Sequence, residues 1–176
     1  PLRLVGTGWP AVLEVRGEVY WPRSSFIDYN RRREAAGETV LANPRNATAG
    51  TLKQLDPRVV AERGLAFCCH SFGEISSQPA ETHYELARKV AAWGIPTNPH
   101  LERVSSFEAL QALIDTWATR RTQLEYLTDG LVIKVDRFDL RRRLGTTSRS
   151  PRWCIAYKYE SEQAVSTIRD VRWQVG

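Results

Sequence analysis

The sequence predicts an α+β fold with mostly antiparallel sheets and flanking helices. Three observations carry that expectation. Runs such as AVLEVRGEVYW (11–21) alternate apolar and polar residues, as half-buried strands do. Two spaced pairs, Thr82 with Glu85 and Ser105 with Glu108, have the form of helix capping boxes. Strands and helices follow one another without regular βαβ repetition, which argues against a parallel sheet.

The elements follow in order. In the first strand Leu13, Val15, Val19 and Trp21 share one face with Gly17, and Glu14, Arg16, Glu18 and Tyr20 share the other. Residues 24–36 read as a helix that stops at Gly37. The 40–57 stretch reads as a loop carrying a short helix over 48–55. Pro57 permits a second short helix to Arg63. LAFCCHSFG (65–73) is strand-like, and residues 74–81 form a polar loop. The first capping pair opens a helix that ends at Gly94. The second opens another, with Phe107, Leu110, Leu113, Ile114 and Trp117 as its apolar stripe. GLVIKV (130–135) is a strand, 138–144 makes a helical turn, and 153–160 and 165–175 alternate again.

At 42% hydrophobic and 26% charged residues, the 176-residue chain has the balance of one globular domain with a packed core. No apolar run reaches the roughly 18 residues of a membrane-spanning helix. PLRLVGTGWP lacks a signal core, and the chain contains no Met. It reads as a piece of a longer protein. Net charge is +5 with a pI near 9.4, which favours a polyanionic partner. The cations are 21 Arg against four Lys. Arginine suits bidentate phosphate recognition, although a GC-rich genome explains the same bias. Only Lys53, Lys89, Lys134 and Lys158 are available as amine nucleophiles. Cys68, Cys69 and Cys154 form no C-x-x-C pair, so they read as buried free thiols of a reducing compartment.

Lys134-Val135-Asp136-Arg137 comes within one residue of K-x-D-G, the motif whose lysine carries AMP in nucleotidyl-transferring ligases. Two strands carry lysines. In the first, Val132, Lys134 and Asp136 share a face. In the second, Cys154, Ala156, Lys158 and Glu160 share a face. A lysine in an apolar strand needs a partner for its charge, and a phosphate is one. Two ammonium groups converging on one phosphate would neutralise charge as a leaving group departs. A solvated sheet face explains either strand alone. Glu18 is likewise a wet-face carboxylate or an acceptor for ribose hydroxyls or a hydrated Mg²⁺. In NPRNATAGTLKQLD (43–56), small residues allow close backbone approach to a ligand, with Arg45 and Lys53 placed to grip phosphates.

Four blocks in order, LEVRGEVYWP, ANPRNATAGTLKQLDP, DGLVIKV and PRWCIAYKY, resemble the adenylation domain of bacterial NAD-dependent DNA ligases. The resemblance implies a nucleotidyltransferase core of the ATP-grasp-like DNA ligase and mRNA-capping type, lacking its N-terminal part. It implies an adenylation domain over 1–165 and, at 166–176, the linker into an OB-fold domain. The implied enzyme seals nicks in duplex DNA through enzyme–AMP and DNA–adenylate intermediates, using NAD as AMP donor with Mg²⁺ or Mn²⁺. It implies that the nucleophilic lysine lies upstream of this chain, so that KVDR is a coincidental match and the piece alone is inactive.

By the same resemblance Lys134 and Lys158 contact the AMP phosphate, Glu18 the ribose side, and Arg45 and Lys53 the adenylate or DNA phosphate. Arg121 contacts phosphate, and Asp129 orders the strand entry or, through water, a metal. His70 stands where the family has an adenine-stacking Tyr, and Lys53 where it has Arg. The implied setting is a monomeric bacterial cytoplasmic, nucleoid-associated protein with further OB-fold, zinc-finger, helix-hairpin-helix and BRCT domains and no membrane contact. A non-catalytic DNA-binding module on the same scaffold is the alternative.

Overall fold

The computed structural model describes residues 3–160 and 165–173. Its elements run β1 (Leu13–Tyr20), α1 (Arg23–Ala35), α2 (Pro44–Leu52), α3 (Pro57–Glu62), β2 (Ala66–Ile75), α4 (His83–Ala92), α5 (Phe107–Arg120), β3 (Gly130–Lys134), α6 (Phe138–Leu144) and β4 (Cys154–Lys158). Both sheets among the described residues are antiparallel pairs, β1 with β2 and β3 with β4. The mixed helical and antiparallel class is as expected.

The first pair is irregular. Its register passes from Arg16 opposite Ser71 to Gly17 opposite Cys69, which leaves His70 without a partner. That bulge takes the backbone of His70 out of the ladder. One face of the pair is buried against α4. Cys69, Leu86, Val90, Trp93 and Ile95 form the core, with Val15, Phe67 and Phe72 packed on it. The chain after α4 then runs along β2, where the Cys69 N–H donates to the Pro96 carbonyl at 2.8 Å. Beyond the bulge the simple alternation fails: Val19 is exposed and Trp21 is buried.

Helix starts follow their caps. The Asn43 side chain accepts from the N–H groups of Arg45 and Asn46, and Pro44 opens α2 with a φ that suits a first turn. That helix therefore begins four residues before the expected Thr48. Thr82 caps α4 as expected. The cap of α5 is Ser106, not Ser105, because its hydroxyl accepts from the Ala109 N–H at 3.1 Å. Phe107, expected in the apolar stripe, is 74% exposed, and burial begins deeper, at Ile114 and Trp117. The 138–144 turn is α6 to the residue. The strand expected over 165–175 does not form over 165–173, which pair with nothing among the described residues and leave Trp173 95% exposed. A strand without a partner has no ladder to hold it. Residues 174 and 175 lie outside the described residues.

Candidate functional site

The two sheets meet where the bulge is. The His70 carbonyl, released from its ladder, accepts a hydrogen bond from Lys134 Nζ at 2.6 Å. Burial pushes the Lys134 ammonium toward neutrality and Arg141 adds to this, while Cys154 and Cys69 oppose it. This lysine is therefore a half-buried cation held against a backbone oxygen.

The residues after Lys134 hold it in place. Asp136 is fastened three ways: its Oδ1 accepts from the Tyr84 N–H at 2.9 Å, its carbonyl accepts from the His83 N–H at 2.9 Å, and its Oδ2 pairs with Arg103 Nε at 3.0 Å. The carboxylate and the backbone carbonyl of Asp136 thus each satisfy one orphan donor at the N-terminus of α4. Arg141 donates Nε to the Val135 carbonyl and lies 4.3 Å from the centre of the Trp153 ring. The near-match to K-x-D-G is in this chain a strand end tied to a helix start. Sequence reading did not find this tether, because Asp136 and Tyr84 lie 52 residues apart. The capping pair at Thr82 marked the helix but carried no sign of its distant acceptor.

At the opposite end of the second sheet, Lys158 faces Gly130 across the ladder, as Cys154 faces Lys134. Directly opposed residues point to the same side, so both lysines lie on one face. Four steps along the ladder separate them, roughly 13 Å of strand. The expected convergence of their tips is not present here: Lys158 Nζ lies 3.6 Å from Asp129 Oδ2, while Lys134 is drawn to His70. Each ammonium has taken the acceptor at its own end of the ladder. The Asp129 carbonyl accepts from the Tyr159 N–H at 3.0 Å, extending the pairing past Lys158.

Arg121 braces this end. Its Nη1 donates to the Thr128 carbonyl at 3.1 Å and its guanidinium stacks 4.9 Å from the Tyr159 ring, whose hydroxyl donates to the Ile114 carbonyl. Glu18 lies opposite Cys68 with its side chain exposed. Gly17 beside it allows the strands to close, since a Cβ there would strike the Cys68 carbonyl oxygen and the Phe67 ring. Arg45 and Lys53 stand exposed at the two ends of α2, which lies against β1, the strand of Glu18. The His70 imidazole is exposed on the bulge.

A cavity of about 470 Å³ opens beside the first sheet, lined among others by Tyr20, Phe67, Cys68, Trp117 and Tyr126. It reaches the site at Cys68, the cross-strand partner of Glu18. Burial raises the pKa of the Cys68 thiol, with smaller pushes from Cys69 and Glu18. Among the described residues no group of three or more His, Cys, Asp or Glu side chains is placed to hold a metal directly. No helix there is long and apolar enough to cross a membrane.

The arrangement supplies separated cations on one face, each resting on a neutral or exchangeable acceptor, beside an exposed carboxylate and a ring. Such a surface suits a phosphorylated ligand carrying hydroxyls. Residues 1–162 match a family model described as NAD-dependent DNA ligase adenylation domain. A protein named DNA ligase from Trichlorobacter lovleyi is 48% identical over 176 residues, which cover 100% of this chain and 26% of that protein. Another, from Desulforudis audaxviator, is 46% identical over the same length and share. A third, from Paramagnetospirillum magneticum, is 45% identical over 174 residues, 99% of this chain and 25% of its own. The chain thus spans about a quarter of the length of these relatives.

Proposed function

The chain belongs to the NAD-dependent DNA ligase adenylation-domain family, and from that premise we propose that it forms most of the adenylate-binding surface of an enzyme that seals nicks in duplex DNA. AMP is taken from NAD onto an enzyme lysine, passed to the DNA 5′-phosphate, and displaced by the 3′-hydroxyl. The nucleophile is not among these 176 residues, which contain no K-x-D-G.

The observation that supports this best is Lys134, a half-buried cation fixed on the His70 carbonyl by the tether behind it. A phosphate oxygen offers that ammonium a full negative charge where the carbonyl offers only a dipole. Lys158 joins from the far end of the same face by leaving Asp129, and its long side chain covers much of the gap. Together they neutralise charge on the α-phosphate as nicotinamide mononucleotide departs.

Glu18 accepts ribose hydroxyls and His70 stacks on the adenine. Arg45 and Lys53 take the adenylate or DNA phosphate from α2. Arg121 and Asp129 set the strand that carries Lys134. A hydrated Mg²⁺ or Mn²⁺, when bound, shields phosphate charge. The exposed Glu18 carboxylate, in no ion pair among the described residues, fits a hold through water better than Asp129, which faces Lys158.

Calorimetric titration of this chain with AMP tests the reading. Binding is expected, falling at least about tenfold in Lys134→Met, the loss of one charge-assisted hydrogen bond. Incubation with NAD and Mg²⁺ followed by mass spectrometry should leave the mass unchanged. A stable gain of one AMP on Lys134 would make that lysine the nucleophile and overturn the assignment.

A further inference from the structure

The basic balance of this chain sits in one place. The 20 residues from Leu140 to Tyr159 carry six of the 25 Lys and Arg and none of the 20 Asp and Glu. The other 156 residues therefore hold 19 cations against 20 acids, close to neutral. Asp139 and Glu160 mark the two ends of the acid-free stretch.

Ion pairing shows the same division. Among the described residues, eight of the sixteen arginines outside the stretch sit against carboxylates, as in Arg16–Glu14, Arg58–Asp56 and Arg120–Glu102, and none of the five inside it does. Arg142, Arg143, Arg149 and Arg152 enter no ion pair among the described residues, and all four are exposed.

The stretch is also shaped. It leaves β3 just after Lys134 and returns at Cys154, the cross-strand partner of Lys134. Between them α6 turns at Gly145, whose φ of +70° favours glycine. A short hairpin follows, in which the Arg152 N–H donates to the Gly145 carbonyl at 3.1 Å and the Thr147 N–H to the Ser150 carbonyl at 2.8 Å. Arg149 stands in that turn. Arg141 is the internal post: it is 8% exposed and fixed between Phe138 and Trp153. One buried arginine thus anchors an arm that presents the exposed ones.

We propose that this arm is a contact for the phosphate backbone of duplex DNA, made chiefly by Arg142, Arg143 and Arg149, leading the duplex toward the Lys134 end of the site. A single nucleotide offers too few phosphates for cations spread along such an arm, whereas a duplex offers a continuous row. The inference rests on the proposed ligase reading for its choice of partner.

Binding of a nicked duplex by this chain, measured against salt, tests it. Each phosphate contact contributes about 0.9 to the slope of log K on log salt. Arg142→Ala with Arg143→Ala should reduce the slope by about two, and Arg149→Ala by about one. Arg31→Ala with Arg58→Ala removes the same charge from exposed arginines already paired with nearby acids, and should change the slope by less than about half a unit, since those arginines make no phosphate contact. AMP affinity should be unchanged in all three variants.

An equal loss in the control pair, an unaltered slope in the arm variants, or no duplex binding by the unmodified chain would each overturn the arm. Failure of the unmodified chain to bind AMP would strike the adenylate-site reading instead and leave the arm standing.

Discussion

The two strand pairs are built on opposite plans. The β1–β2 pair is long, bulged and backed by a packed core. The β3–β4 pair is five residues long and regular, yet Val132 is 61% exposed on one face and Ile155 65% exposed on the other. The first is held by burial. The second is held by tethers at its ends: Asp136 and Arg141 beyond Lys134, Arg121 and Asp129 beside Lys158. Burial fixes a surface, whereas tethers fix particular side chains. Lys134, Lys158 and Asp129 accordingly lie along the tethered pair, whereas Glu18 and His70 belong to the burial-held pair, which also offers Lys134 a carbonyl to rest on.

The contrast breaks most sharply at glycine. A Cβ at Gly130 would strike the Tyr157 carbonyl oxygen and crowd Lys158 Cα, both backbone atoms of the partner strand. Gly130→Ala should cost about 3 kcal/mol by chemical denaturation, since a tethered pair cannot separate and keep its ends. Gly17→Ala meets the Cys68 carbonyl oxygen, a backbone atom, as well as the Phe67 ring; the ring can turn but the carbonyl cannot, so the cost should be comparable.

The junction responds to pH through His83, which stacks 5.2 Å from Phe72 of the first pair and donates its backbone N–H to Asp136 beyond the second. Burial lowers its pKa from 6.5 to about 3, assisted by the charges of Lys134, Arg141 and His70. The unfolded chain therefore takes up a proton here that the folded chain refuses. Stability is full above pH 6.5 and declines as pH falls toward 3, by up to about 1.4 kcal/mol per pH unit. His83→Gln should flatten that part of the stability profile measured in urea.

The tether itself is a smaller contribution. Asp136→Ala should cost about 1–2 kcal/mol as α4 loses a cap. It should also weaken AMP binding. Asp136→Asn should keep most of both, because an amide oxygen can still accept from Tyr84. A stability loss without any change in AMP affinity would mean that Asp136 supports α4 and not Lys134.

Local signals carried the fold far. Thr82 opened α4, Gly37 closed α1, and α6 was legible to the residue, because caps and stops act within one turn. Asn43-Pro44 is an equally local signal for the start of α2, four residues before the Thr48 that composition suggests. Alternation failed at the His70 bulge, since an unpaired residue shifts which side chains oppose each other and leaves no mark in the sequence. It failed again over 165–173, where the pattern of a strand is present without a second strand. The candidate site residues came from blocks of sequence. Their separation did not, because whether two lysines on adjacent strands meet depends on register, here Gly130 opposite Lys158 and Lys134 opposite Cys154.

Lys134 and Lys158 stand at opposite ends of a ladder, yet on the proposed function both answer to one bound adenylate. With only four lysines in the chain, ¹³C-methylated lysine NMR resolves each of them. Titration with AMP should move the Lys134 and Lys158 signals along curves with the same midpoint while Lys89 stays still. Separate midpoints, or a Lys134 signal that AMP leaves where it was, would contradict it.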